Sequence, residues 1–469
     1  MEVFETAAGG AALHKTDPRT ELPAATRIRI SPEHKYQTLT GFGGSFTEAS
    51  AYVFRKLGPE NRKKILDAYF GADGACYSLT RMPIGSCDFS LGAYSHAPVA
   101  RDHPLSHFTI DRDKTYLIPF IREAIDASET GFKIIASPWT APPWMKDNAS
   151  YIGGKLLPEY RQTWALYFSR FLDAYQAEGI PIWGVTVENE PLGNGNNWES
   201  MHFEPEEMTA FVQDYLGPTL RANGQGDIRI LGYDQNREHL ATWVDAMYRT
   251  EASARYFAGT AVHWYASTFD VFPGALEYAR AKAPDKHLIQ TEACVDAEVP
   301  RWHDDAWYWS QEATDWGWDW APEEQKKYHP KYVPVYRYAS DIIGCLNHGV
   351  DGWIDWNMVL DRQGGPNWAE NWCVAPIIAD PEADEVYVTP LYFILAHFSR
   401  FIRPGARRIG WERTDQRLQV TAAENPDGSI AVVVLNPEPD EISASISLGD
   451  QSEAIRIPGQ ALQTVRIVR

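Results

Sequence analysis

No run of about 20 apolar residues occurs anywhere in the 469-residue chain, so no membrane-spanning helix is expected. Positive charge is in deficit. The 43 Lys and Arg stand against 63 Asp and Glu, a net charge of -20 that repels phosphate backbones and anionic headgroups. Nucleic acid is therefore excluded as an expected partner, and so is stable membrane insertion. Cysteine is sparse as well: Cys76, Cys87, Cys294, Cys345 and Cys373 are odd in number and lack CxxC or Cys/His metal spacing. Reduced thiols in a cytoplasm are the simplest reading. The opening MEVFETAAGGAALHKTD lacks the basic start and apolar core of a secretory signal, which points the same way, although a trimmed secreted chain would look identical.

What the chain has in excess is flat rings, with 18 Trp, more than core packing ordinarily asks for. Its length suits one large barrel of roughly 250 or more residues with a smaller partner. Between Thr38 and Phe401, short β-rich runs alternate with helical stretches. Eight candidate strands can be read: TLTGFGG, CYSLTRMP, FKIIASPW, IWGVTVENE, IRILGYD, TAVHWY, HLIQTEA and GWIDWN. Eight is the number that closes a (β/α)8 barrel. Between the third and fourth, Trp164, Tyr167, Phe168, Phe171, Leu172 and Tyr175 recur at helical spacing, with Gly179 placed to end that helix. After RPGARRIG the pattern becomes short alternating strands with Asn-Pro-Asp-Gly as a turn, which predicts a small antiparallel β domain. The expected division is a barrel over 37–403 and a β-sandwich over 404–469, to which residues 1–36 lend strands.

In a parallel barrel the chemistry sits where strands end, at the C-terminal face. Glu188 and Glu190 end the fourth strand, and Glu292 ends the seventh after an apolar run with no other reason to finish in a carboxylate. Each acid alone is more simply a solvated or capping group. On two strands of one barrel, among aromatics, they fit the carboxyl pair of a glycosidase, one protonating the departing oxygen and the other attacking the anomeric carbon. Strict alternation sends Glu188 and Glu190 to one side and Asn189 to the other, unless a bulge turns Asn189 inward. His263 with the two acids invites a metal reading, but the HxH and HExxH spacings are missing, so no metal is expected. GFGGSF is not a nucleotide loop, because Phe46 stands where GxGxxG needs its last glycine; close backbone approach at a strand end is expected instead.

The segments GFGGSFTEASA, RMPIGSCDFS, ASPWTAPPWMK, VTVENEP, AVHWY, TEAC, GWIDWN, GGPNW and HFSRFIRPGARRIG together resemble the glucosylceramidase branch of glycoside hydrolase family 30, in the same order, from about Ser31 onward. The resemblance implies a (β/α)8 barrel with a side β-sandwich, retaining hydrolysis of β-glycosides and no cofactor. Carried over by position, Glu190 is the general acid/base and Glu292 the nucleophile, with Glu188 in support. Asn189 matches the amide on the sugar 2-hydroxyl, while Asp88 and Trp139 match holders of the distal hydroxyls. Trp356 and Asn371 match further pocket positions, and His263 and Tyr265 the surroundings of the nucleophile. Arg81, ending the second strand, is with Tyr265 a candidate to keep Glu292 ionised.

The function expected is thus a retaining β-glucosidase that removes a terminal glucose, with a carboxyl separation of about 5 to 5.5 Å. The alternatives are an enzyme of the same fold acting on β-1,6-glucan or β-xylosides, and a carbohydrate-binding protein without turnover. The partner expected is a small carbohydrate or glycoconjugate; oligomeric state is not readable. The tryptophan-rich stretch 307–332 departs from the family pattern as an insertion and leaves the aglycone open.

Overall fold

The computed structural model describes every residue except 19–25, 194–196, 268, 297–308, 310–332 and 469. Eight parallel strands close a barrel: β1 (Gly41–Ser45), β2 (Leu79–Pro83), β3 (Lys133–Ser137), β4 (Gly184–Thr186), β5 (Arg229–Asn236), β6 (Phe257–His263), β7 (His287–Glu292) and β8 (Gly352–Asn357). Each neighbours the next in sequence, and β8 returns to β1. All eight fall on the apolar runs read as strands. Leu79, Ile135, Leu231, Ala261, Ile289 and Ile354, one from each of six strands, fill the barrel interior as a separate buried cluster. The opposite faces of the strands pack on the surrounding helices.

The helix Arg161–Ala177 shows how sequence sets this outer layer. Trp164, Tyr167, Phe168, Phe171, Leu172 and Tyr175 are all buried on one face. The helix stops because Gly179 adopts φ +78°, a left-handed conformation that costs glycine little, and Ile180 N–H then reaches back to the Tyr175 carbonyl.

The second body is a nine-stranded sheet around its own core, which includes Ile28, Ile409, Val432 and Ile455. The Asn-Pro-Asp-Gly turn joins strands Gln419–Glu424 and Ile430–Asn436 as expected, with Gly428 at φ +83°. The sheet is mixed where an antiparallel one was predicted. The long strand Thr26–Thr38 lies between Arg407–Arg413, to which it is antiparallel, and Ile442–Leu448, to which it is parallel. Its direction is imposed by the connection from its end straight into β1. The N-terminus also supplies a hairpin, Glu2–Ala7 with Ala11–Thr16. His397, on helix Pro390–Ser399, fastens sheet to barrel by hydrogen bonds with Thr464 and Thr6.

No helix among the described residues is long and apolar enough to cross a membrane. The tryptophan-rich stretch 307–332 lies outside the described residues, apart from Trp309, whose ring packs on Phe393.

The glycine motif of β1 has the close-approach role expected of it. A Cβ on Gly43 would stand 2.0 Å from the Leu79 carbonyl oxygen of β2. Gly43→Ala should therefore destabilise the protein by about 1–3 kcal/mol or more, seen as a lower urea midpoint. Gly274→Ala, in helix Pro273–Lys282 with nothing within 4 Å of the new methyl, should be neutral or slightly stabilising.

Candidate active site

Strand β4 ends at Thr186, so Glu188, Asn189 and Glu190 belong to the turn that follows and strict alternation does not govern them. Asn189 N–H bonds the Pro138 carbonyl beyond β3, and Glu190 N–H bonds the Asp234 carbonyl of β5. Glu190 itself sits at φ +49°, a left-handed conformation rare for a residue with a side chain. The result is that Asn189 and Glu190 both line the cavity while Glu188 does not. This departs from the pairing of Glu188 with Glu190 on one side, and the cause is the twisted backbone. Glu188 is fully buried with neither carboxylate oxygen hydrogen-bonded among the described residues. Burial pushes its carboxyl well above the usual range, against the opposing pull of Lys146, and the side chain is packed behind the site.

Arg81, at the end of β2 and wholly buried, organises the floor. Its guanidinium donates to Glu292, to Asn189 Oδ1 at 2.8 Å, to Asp234 Oδ2 at 2.6 Å and to Ser137 Oγ at 3.0 Å. Tyr265 donates its hydroxyl to the other Glu292 oxygen at 2.9 Å. Burial raises the Glu292 carboxyl above its ordinary value, while His263 and Arg81 pull the other way. His263 bridges the two halves, with Nδ1 3.1 Å from Glu190 and Nε2 3.0 Å from Asp234. Burial alone would strip its proton, but the Glu292 and Asp234 carboxylates outweigh that and raise it to about 9. Asp234 is buried too, and Arg81 and His263 overcome the burial cost and hold it below the usual carboxylate range.

Around this charged floor the cavity, about 560 Å³, has aromatic walls. Trp139 and Trp356 stack with centroids 5.2 Å apart, and the Arg81 guanidinium lies 4.9 Å from the Trp139 ring. Asp88 accepts from Asn371 Nδ2 at 3.1 Å, so two residues from distant loops form one polar wall. Burial, reinforced by the Glu292 charge, raises Asp88 well above its ordinary value. Of the eleven residues singled out from sequence, eight line the cavity; Arg81 and His263 stand just beneath it and Glu188 lies behind.

Sequence reasoning missed Asp234, Trp198, Gln235, Asn236, Glu370 and Trp372, and the placing of Cys294 and Cys373 in the wall. Asp234 carried a usable signal, since it ends the apolar run RILGYD as Glu292 ends HLIQTE. The loop residues carried none. Ligand atoms of Glu190, His263 and Glu292 all lie within 4.8 Å of one another, close enough to be tested as a metal set. Both ring nitrogens of His263 are already engaged, Nδ1 with Glu190 and Nε2 with Asp234, so a metal would have to displace one of these contacts to bind the imidazole.

Comparison with known proteins extends this picture over almost the whole chain. Residues 39–402 match the glycosyl hydrolase family 30 TIM-barrel domain, and residues 405–465 the beta sandwich domain of the same family. Lysosomal acid glucosylceramidase of Mus musculus is 35% identical over 450 residues, covering 93% of this chain and 82% of that protein. An endo-1,6-beta-D-glucanase of Neurospora crassa is 27% identical over 436 residues, 89% of this chain and 83% of that one. The crystal structure of SrfJ from Salmonella typhimurium superposes with a TM-score of 0.88 at 30% identity, covering 100% of this chain and 99% of that one. A closed barrel with two acids facing each other at its mouth, joined to the sandwich its family carries, makes this chain a glycoside hydrolase of family 30.

Proposed function

We propose that the chain is a retaining β-glucosidase of the glucosylceramidase type, releasing a terminal β-linked glucose by double displacement. The observation that carries this reading is the approach of Glu190 and Glu292 across one cavity, with one oxygen of each carboxyl within 4.8 Å of one of the other. Retaining glycosidases hold their carboxyl groups roughly 5–5.5 Å apart, whereas inverting ones leave roughly 6.5–9.5 Å for a water.

Glu292 attacks the anomeric carbon, and Glu190 gives its proton to the leaving oxygen. Water then enters with Glu190 as base and frees the sugar from Glu292. Arg81 and Tyr265 donate to both nucleophile oxygens and so fix the carboxylate for attack. Arg81 also occupies Asn189 Oδ1, which leaves the amide nitrogen to donate to the sugar 2-hydroxyl. The stacked Trp139 and Trp356 bound the sugar site as an aromatic wall, and the Asp88–Asn371 wall offers acceptors and donors to its distal hydroxyls. Identity with the mouse glucosylceramidase supports glucose as the glycone. The Neurospora relative supports a second reading, hydrolysis of β-1,6-linked glucan. Aryl β-glucoside, β-xyloside and β-galactoside assayed beside a β-1,6-linked glucose disaccharide separate the readings. Highest kcat/KM on the aryl glucoside is expected, and silence on all substrates would overturn the proposal.

A 2-fluoro glucosyl inactivator should label Glu292, and labelling confined to Glu190 or Glu188 would reject the assignment. Glu190→Gln should slow substrates with poor leaving groups by about 10²–10⁴-fold and activated aryl glucosides far less.

The pH profile on an activated aryl glucoside, which needs no acid, isolates the other groups. Its acid limb should lie above the ordinary Glu value of 4.5, because burial raises Glu292 and only the anion attacks. His263 is raised from 6.5 to about 9, so the folded enzyme keeps its cation through neutral pH and loses it as pH rises through about 9, giving the alkaline limb. Asp234→Asn removes one of the carboxylates that raise His263, so that limb should move to lower pH. The same change leaves buried cations underpaired and should cost about 3–5 kcal/mol of stability by denaturant titration.

A further inference from the structure

Cys294 lies two residues beyond Glu292, and Cys373 lies 79 residues later in the loop that carries Asn371 and Trp372. Both are buried, both line the cavity, and their sulfurs stand 3.0 Å apart. The backbone creates this meeting. Strand Val295–Asp296 pairs antiparallel with Cys373–Val374, with Asp296 opposite Cys373, and a step of two residues back to Cys294 returns to the same face. Cys294 and Cys373 are in contact without being joined by a disulfide. An S–S bond measures about 2.05 Å, so closing this pair requires a movement of about 1 Å.

We propose that Cys294 and Cys373 are a modification site: a reversible disulfide that ties the end of β7 to the cavity wall and slows turnover. The oxidant is a peroxide, small enough to enter the cavity. One peroxide oxygen passes to the Cys294 thiol, giving a sulfenic acid and one water. The Cys373 thiol then attacks that sulfur, the S–S bond forms, and the hydroxyl leaves with the Cys373 proton as a second water. Two thiols are oxidised and one peroxide is reduced. A dithiol reductant reverses the step by exchange.

The consequence for turnover runs through Tyr265. Its hydroxyl donates to Glu292 at 2.9 Å and also lies 3.5 Å from the Cys294 sulfur. Drawing that sulfur toward Cys373 alters its contact with Tyr265 and pulls on backbone two residues from the nucleophile, and either change disturbs the Tyr265–Glu292 hydrogen bond. Loss of one hydrogen bond to a charged group corresponds to roughly a tenfold fall in kcat/KM. This effect on rate rests on the glycosidase reading, whereas the cross-link itself does not.

The full chain is treated with hydrogen peroxide, quenched, digested without reduction and analysed by mass spectrometry, with aryl glucoside turnover followed in parallel. A peptide joining Cys294 to Cys373, lighter by two hydrogens than its parts, is expected. A roughly tenfold loss of rate should accompany it, and dithiothreitol should reverse both. Cys373→Ser and, as a second variant against misfolding, Cys373→Ala should lose the peptide and the peroxide response, each judged against its own untreated rate. Absence of the joined peptide, pairing with another cysteine, an unchanged rate after full cross-linking, or the same rate loss in both variants would overturn the proposal. A chain inactive on every glycoside would overturn the rate effect and the glycosidase reading together, and the peptide alone would then decide whether the disulfide forms.

Discussion

The interaction on which the site depends is the bond network of one buried guanidinium. Arg81 has no access to solvent, yet it holds Glu292, Asp234 and Asn189 at once. Burying a cation is costly unless its donors are satisfied by anions and dipoles, and here three strands and a turn converge to supply them. The planar fork also fixes geometry, since each partner must come to a set direction from the guanidinium. A lysine would leave the same charge without that directionality. The barrel therefore does more than bring the acids together: it closes around a cation that specifies where they stand.

Much of the fold was legible. Every barrel strand announced itself as an apolar run, because strands buried on both faces need no polar alternation. The helix Arg161–Ala177 was legible for the complementary reason, its rings recurring every three or four residues and its end marked by Gly179. What the pattern did not reveal was direction. Thr26–Thr38 alternates as any half-buried strand does, and nothing in that alternation says whether its neighbour runs parallel or antiparallel.

The site divides in the same way. Residues at or near strand ends, Arg81, Glu292 and Asp234, carry a signal because a charge after an apolar run is anomalous. Motif resemblance reached Asp88, Asn189 and Asn371, which periodicity alone could not. Glu188 shows the limit: its place was inferred from strand geometry, and the strand had already ended at Thr186. Trp198, Glu370 and Trp372 stand on loops whose course depends on packing far along the chain, and the same is true of the contact between Cys294 and Cys373.

The charges of the floor are also arranged in a way that bears on the second half of the proposed cycle. The Glu292 carboxylate is one of the influences that raise His263, beside the charge and hydrogen bond of Asp234 and the hydrogen bond with Glu190. When Glu292 becomes an ester to the sugar, that negative charge disappears and His263 holds its proton less tightly. In the same step Glu190 has given up its own proton and become an anion 3.1 Å from His263 Nδ1. One negative neighbour is thus exchanged for another, and the imidazolium keeps a carboxylate partner through both half-reactions. A buried histidine placed between the two acids, with Asp234 as a constant third charge, lets the pair trade ionisation without leaving any cation of the floor unpaired.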